Sequence, residues 1–282
     1  MAVEQGKLYI VGTPIGNLED LTLRAARVLR EVDVVAAEDT RRSLGLLNHL
    51  GAPKRLVSYH EHNRQAAGEK VLGLLRQGQA VALVTDAGMP CISDPGWQLV
   101  DAALQEGLPV EVVPGPSAAV AAVAASGLDG GRFVFEGFLP RQGKERKARL
   151  AGLEQEYRAV VFFEAPHRLD KTLQELSQLW PERPMALCHD LTKRFERIDR
   201  GTAAEVAARL QAGGAQGEYV LVFAAQPPPE PAACTAEEAE EALRQRLAAG
   251  MDKKQAIREV TGLTGWPKKQ IYRLALEWED GS

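Results

Sequence analysis

Cysteine is scarce: three residues in 282, at Cys91, Cys188 and Cys234. An odd count with no C-x-x-C pair excludes a disulfide framework and gives zinc no familiar ligand spacing, so no metal site is expected. Positive charge is not in excess either. The formal charge is -4, so any surface for nucleic acid must be local. No apolar run approaches the roughly 18 residues of a membrane helix. The N-terminus has no charged stretch leading into an apolar core, and a soluble, cytoplasmic protein is the expectation. G-x-G-x-x-G and G-x-x-x-x-G-K-[ST] are both missing, which argues against nucleotide phosphates as ligand.

What is present opens with a strand-like run, Leu8-Tyr9-Ile10-Val11, that breaks into Gly12-Thr13-Pro14-Ile15-Gly16-Asn17. Strand, glycine turn, helix is how α/β proteins build a small-molecule site at the carboxyl end of a sheet. The two glycines are expected to let backbone approach a ligand, and Pro14 to fix the course of the turn. Further strand-like runs at 32–36, 56–58, 80–84 and 110–113 alternate with helical patterns at 21–31, 63–76 and 97–105. That alternation predicts a mostly parallel sheet in a first domain, residues 1–118.

A second set follows in residues 119–225. Strands are expected at 133–136, 159–163, 185–188 and 219–223, with another over 195–201, and helices at 169–179 and 203–210. Strands outnumber helices and some connections are short, so this sheet is expected to be mixed. Gln226-Pro227-Pro228-Pro229-Glu230-Pro231 opens a stiff linker over 226–235. Beyond it, helical patterns at 236–248, 253–260 and 268–277 predict a small helix-turn-helix-like module over 236–282.

Two more loops end strands. Thr85-Asp86-Ala87-Gly88-Met89-Pro90-Cys91-Ile92-Ser93-Asp94-Pro95-Gly96 holds two carboxylates over a length unusual for a plain connection. Asp86 suits hydrogen bonds from a ligand ammonium or ribose, Gly88 allows close backbone, and Asp94 is expected to cap a helix starting at Pro95. In Pro114-Gly115-Pro116-Ser117-Ala118, Ser117 is placed as an N-cap, and amides at a helix start also bind ligand oxygens.

The ordered set of Gly12–Asn17, Glu38-Asp39-Thr40-Arg41, Ser58-Tyr59-His60-Glu61-His62-Asn63, the 86–96 loop, 114–118 and Phe163-Glu164-Ala165-Pro166-His167-Arg168 resembles the ribosomal RNA small-subunit methyltransferase I family, within the tetrapyrrole methylase superfamily. The resemblance runs from about Lys7 to Phe223, and the linker and tail are similar to that family's C-terminal region. It implies two α/β domains of tetrapyrrole methylase type, a parallel sheet then a mixed one. S-adenosylmethionine would lie in the cleft between them, in a homodimer with a helical C-terminal module. The implied reaction is 2'-O-methylation of a cytidine ribose in the decoding region of 16S ribosomal RNA. The implied cofactor positions are Pro14, Ile15, Asp86, Gly88, Met89, Ile92, Ser93, Ser117, Ala118 and Phe163.

Methyl transfer to a ribose hydroxyl needs alignment and a route for the hydroxyl proton. Candidates for that task are Glu38, Asp39 and Arg41 after the second strand, and His60 after the third. Arg41 equally suits a plain ion pair with Glu38 or Asp39. His60 and His62 share a face only if the chain there is extended. For RNA, the basic run 141–149 offers Lys144, Arg146 and Lys147, and the tail offers Lys253, Lys254, Lys268, Lys269 and Arg273. Two other readings stay open: a methyltransferase on a tetrapyrrole or other small acceptor, and a cofactor- and RNA-binding assembly protein without catalysis. The turn Gly-Thr-Pro-Ile-Gly-Asn departs from the Gly-x-Gly-Pro-Gly-Asp type of the tetrapyrrole enzymes, which weighs against the first.

Overall fold

The computed structural model describes residues 2–210, 216–228 and 235–280. Cys234 and the linker residues 229–234 lie outside them. The chain forms two compact units, Met1–Gln226 and Pro227–Ser282.

The first unit carries two α/β halves. In the first half, β1 (Leu8–Val11), β2 (Val34–Ala37), β3 (Arg55–Ser58), β4 (Val81–Val84) and β5 (Val110–Val113) make an all-parallel sheet ordered β3-β2-β4-β1-β5. β2 and β4 are buried along their whole length, as expected for strands covered on both faces. Helices α1 (Leu23–Glu31) and α2 (Thr40–His49) cover one face through Ala25, Val28, Leu29 and Leu47. Helices α3 (Arg64–Arg76) and α4 (Trp97–Gln105) cover the other through Val71, Leu72, Leu75, Leu99 and Ala103.

The chain enters its second half through α5 (Ala118–Ser126), a helix of small residues that ends on left-handed Gly127. Five strands follow: β6 (Phe133–Phe138), β7 (Ala159–Glu164), β8 (Met185–His189), β9 (Arg197–Gly201) and β10 (Tyr219–Phe223). Their order is β6-β7-β10-β8-β9, parallel only between β6 and β7, so the sheet is mixed. Helices α6 (Gly143–Leu153), α7 (Pro166–Leu179) and α8 (Ala203–Leu210) flank a core of Phe162, Trp180, Phe223 and aliphatic side chains. Phe162 meets Phe223 edge-on at 6.1 Å, a favoured aromatic geometry. On the opposite face α5 packs on β7, β8 and β10 through Ala119, Ala122, Val161, Cys188, Val220 and Val222. Ile15 of the first glycine turn joins that same cluster, so the two sheets share apolar contacts at the site.

Two local expectations change. Helix α2 runs directly out of the Glu38–Arg41 segment, where no helix was expected. Asp39 starts it by accepting from the Arg41 amide at 2.8 Å. The strand expected over 195–201 begins only at Arg197.

The second unit is three helices: α9 (Ala236–Ala248), α10 (Lys253–Thr264) and α11 (Lys268–Asp280). Thr235 and Glu238 form a reciprocal capping box, Asp252 caps α10, and left-handed Gly265 ends it. Leu243, Ile257, Val260 and Ile271 are its buried centre, and Trp266 packs against them. Lys254, Lys268, Lys269 and Arg273 are exposed, while the Lys253 ammonium lies 5.7 Å from the Tyr272 ring centre. Among the described residues no helix is long and apolar enough to cross a membrane.

Candidate active site

The three loops that end β4, β1 and β5 leave adjacent strands and are tied to one another by backbone. Thr13 N donates to Gly88 O at 2.9 Å, and Gly88 N returns a bond to Thr13 O at 3.1 Å. The Thr13 hydroxyl donates to Thr85 O at 3.1 Å from a 3 % exposed position. The glycines of the first turn serve this assembly. A Cβ on Gly12 would lie 2.7 Å from both Gly115 Cα and Met89 Sδ, and one on Gly16 would lie 2.7 Å from Leu191 O. Close approach is real, but at these two positions the neighbour is the protein's own chain.

Between the loops and the second sheet lies a cavity of about 370 Å³, within the range of small-molecule sites. Ile15, Asp86, Gly88, Met89, Ile92, Ser117, Ala118 and Phe163 line it. Pro14 and Ser93, which the resemblance places with them, are not among its lining residues. Glu38, Arg42, Thr85, Asp94, Phe138, Glu164 and Val220 also face it. Of these, Glu38 was a named catalytic candidate; Thr85, Asp94 and Glu164 lie in the motifs quoted above, Arg42 directly follows one of them, and Phe138 and Val220 were not singled out.

One wall is acidic. The Thr85 hydroxyl donates to Glu38 Oε2 at 2.7 Å. Asp86 Oδ1 accepts from the Asp39 amide at 3.0 Å, and its other oxygen lies 3.4 Å from Arg42 Nε. Asp94 does not cap a helix. Helix α4 starts at Trp97 after Gly96 at φ 144°, with no side-chain cap, and the Asp94 carboxyl is left half-buried beside Thr85. Burial first, then the neighbouring Glu38 and Asp86 charges, push its pKa up to about 6 against the Thr85 hydrogen bond. Burial also raises Asp86, opposed by the Asp39 amide. Cys91 and Ser93 of the same loop adopt left-handed backbone, at φ 71° and 64°, a conformation costly for non-glycine residues and concentrated at functional sites.

The remaining catalytic candidates separate from this wall. Asp39 and Arg41 pair with each other at 2.7 Å beside the α2 cap, with the Arg41 side chain 90 % exposed. The Arg41 hydrogen bonds hold the Asp39 carboxyl well below its usual range. His60 lies outside the cavity lining in a turn that its amide closes on Asn63 Oδ1 at 2.8 Å. The two histidine rings are 6.0 Å apart, but the chain between them is a turn and not extended. Among the described residues no three His, Cys, Asp or Glu groups come together to hold a metal ion.

Ser117 precedes α5 without closing its first turn by a side-chain bond, contrary to the cap expected. The first amides of α5 therefore stay open at the cavity edge.

One RNA candidate is overturned. Arg146 is 3 % exposed; its guanidinium bonds Glu175, Thr172 and Pro140 O at 2.5–2.9 Å. It points into the α6–α7 interface because it shares a helix face with Leu150 and Leu153. Lys144 and Lys147 stand on the exposed side.

A family profile described as Tetrapyrrole (Corrin/Porphyrin) Methylases matches residues 7–207, and one described as RsmI C-terminal HTH domain matches residues 234–279. The chain is 42% identical over 274 residues to Ribosomal RNA small subunit methyltransferase I of Halalkalibacterium halodurans, covering 96% of this chain and 95% of that protein. It is 47% identical to the protein of the same name from Thermotoga maritima, over 77% of this chain and 98% of that one. Among solved structures, uroporphyrin-III-C-methyltransferase from Thermus thermophilus superposes with a TM-score of 0.56 at 27% identity, covering 78% of this chain and 94% of that one. The same enzyme complexed with S-adenyl homocysteine gives 0.57 at 24%, over 77% and 97%.

Proposed function

We propose, for a chain that belongs to the ribosomal RNA small subunit methyltransferase I family, that it methylates the 2'-oxygen of a cytidine ribose in the decoding region of small-subunit ribosomal RNA. S-adenosylmethionine is the methyl donor of this methyltransferase fold. The residues present suit it. Ile15, Met89, Ile92, Ala118, Phe163 and Val220 offer apolar walls, and the Glu38–Asp86–Asp94 wall offers negative charge to a cation. When bound, the cofactor supplies an activated methyl group on a positively charged sulfur.

The observation that carries the reading is the position of Asp94. Its carboxyl lines the same cavity as the apolar walls and holds its proton until about pH 6. A base whose pKa lies near the working pH combines correct ionisation with useful proton affinity. In this reading Asp94 takes the proton of the ribose 2'-hydroxyl, while the Thr85 hydroxyl beside it donates to Glu38 and fixes that second carboxylate of the wall. Asp86 holds the polar end of the cofactor and stays fixed to α2 through the Asp39 amide. Lys144, Lys147 and the exposed tail cations Lys254, Lys268, Lys269 and Arg273 are assigned to RNA phosphates, together with Lys253. A homodimer is the working form under the same reading, and sedimentation equilibrium tests it.

The deciding experiment is transfer of labelled methyl from S-adenosylmethionine to small ribosomal subunits lacking the modification, followed by nucleoside analysis. A 2'-O-methylcytidine product is expected; label in another nucleoside, or none, overturns the reading. A second expectation concerns the cofactor alone. Asp86→Ala should weaken its binding by about 10- to 150-fold, the worth of a hydrogen bond to a charged group. Unchanged affinity by calorimetry would remove Asp86 from the cofactor site.

A further inference from the structure

Strand β6 contains an irregularity next to the cavity. Its register against β7 slips between Phe135 and Gly137, and Gly137 has φ 62°. A bulge of this kind adds a residue on one strand and re-aims the side chains beyond it. Here the re-aimed residue is Phe138, 52 % exposed although large and apolar. It meets Phe163 edge-on at 5.6 Å, and Phe163 in turn meets Phe135 at 4.8 Å. Phe138 is therefore the outer member of an aromatic row whose middle ring, Phe163, also lines the cavity.

Phe138 also has a second side. With Pro140, Arg141, Gln142, Glu145 and Arg149 it lines an open groove of about 750 Å³. The active-site cavity and this groove share Phe138 as a common wall. The groove is firmly built. Two buried or half-buried arginines grip the carbonyls behind Phe138: Arg168 bonds Leu139 O, and Arg146 bonds Pro140 O at 2.9 Å. The bulge itself is pinned from the first half, since a Cβ on Gly137 would lie 2.7 Å from the Ser93 hydroxyl. The charged groups that line it are Arg141, Glu145 and Arg149. Arg149 is paired with Glu136 at 2.8 Å, and Arg141 is exposed. Arg141 has no carboxylate partner among the described residues.

An exposed aromatic face beside a forked cation, opening from a methyl-transfer cavity, has the chemistry of an unstacked nucleotide. Single-stranded RNA is held by bases stacked on aromatic rings and by phosphates on arginine and lysine. We infer that this groove receives the nucleotide next to the methylated ribose, its base against Phe138 and its phosphate at Arg141. The inference rests on the reading of the cavity as an RNA ribose methyltransferase site and adds the path by which the strand leaves it. Phe138 acts as a positioning residue, because a neighbour held in the groove fixes where the target ribose can lie. Arg146, which cannot reach RNA, contributes by holding the turn that presents Arg141.

The test uses the full-length protein and small ribosomal subunits that lack the modification. A photoreactive benzoylphenylalanine at position 138 should crosslink, in the presence of the cofactor, to a nucleotide within two positions of the methylated one. In steady-state assays Phe138→Ala should raise KM for the subunit about 5- to 150-fold, the range for one lost stacked base, and Phe138→Tyr should restore most of it. Arg141→Gln should raise KM about tenfold and flatten its salt dependence while cofactor affinity by calorimetry stays unchanged. Crosslinks to a ribosomal protein, to a second copy of the chain or to distant RNA overturn the proposal, as does an absent crosslink or an unchanged KM in both variants. Wild-type protein that methylates subunits while these results fail removes only the groove. Wild-type protein that transfers no methyl to subunits removes the reading beneath it as well.

Discussion

Asp94→Asn is expected to slow methyl transfer at saturating cofactor and subunit by about 10²–10⁴-fold, the usual worth of a positioned general base. The wild-type rate should climb with pH through about 6 and level off above it, because only the ionised carboxylate accepts a proton. Asparagine removes that limb of the profile. The same substitution should raise stability at pH 8. Burial lifts the Asp94 pKa from 3.8 to about 6, so the folded state binds the proton more tightly than the unfolded one. The resulting stabilisation is complete below about pH 4 and is lost as pH rises through 6. Above pH 6 the wild type therefore carries a half-buried charge that asparagine relieves. A variant that is slow yet melts higher at pH 8, with little gain at pH 4, is the signature of a residue kept for chemistry. Full activity in Asp94→Asn, or a wild-type profile with no inflection near 6, would return the proton to Glu38 or to solvent.

Arg146→Met is expected to destabilise the α/β unit by about 3–5 kcal/mol, the cost of breaking a buried charge pair from one side. The guanidinium satisfies Glu175, the Thr172 hydroxyl and Pro140 O at once. Thr172 passes the chain of bonds on to Glu164 at 2.6 Å, and Glu164, 2 % exposed, pairs with Arg168 at 3.1 Å. Methionine fills the space but leaves these oxygens without a donor. For a unit of this size the melting temperature should fall on the order of 10 °C. Lys144→Ala and Lys147→Ala, on the exposed side of the same helix turn, should stay within about 0.5 kcal/mol of the parent. Equal stability of all three variants in urea titrations would mean that the network contributes nothing net.

These two residues also mark where the sequence was legible and where it was not. The sheet was readable because β2, β4 and β10 are apolar along their whole length, and the three loops because glycine, proline and carboxylates cluster after them. The polar α2 was missed; its Ser43 and Leu47 are buried, but a charged start and Gly45 hide that face. Asp94 read as a cap because Asp-Pro-Gly is a common helix entry, yet Gly96 at φ 144° delays α4 by two residues. Arg146 lies in a run of cations, and its inward direction shows only when its phase is set against Leu150 and Leu153. Phe138 could not be placed at all. Its direction depends on a bulge that only the pairing of β6 with β7 and the seat of Ser93 reveal.

The stapling of the three loops has a further consequence, for how the protein comes into being. Thr13 and Gly88, which exchange two backbone bonds, are 75 residues apart, and Gly12 meets Gly115 across a still longer span. Contacts of such sequence separation require a large loss of chain entropy before they return any stabilisation, and parallel sheets joined in this way fold slowly. The site therefore closes late, after strands far apart in the chain have found their neighbours. A nascent chain that has not yet delivered Gly115 has no cradle to offer, however complete its first four strands are.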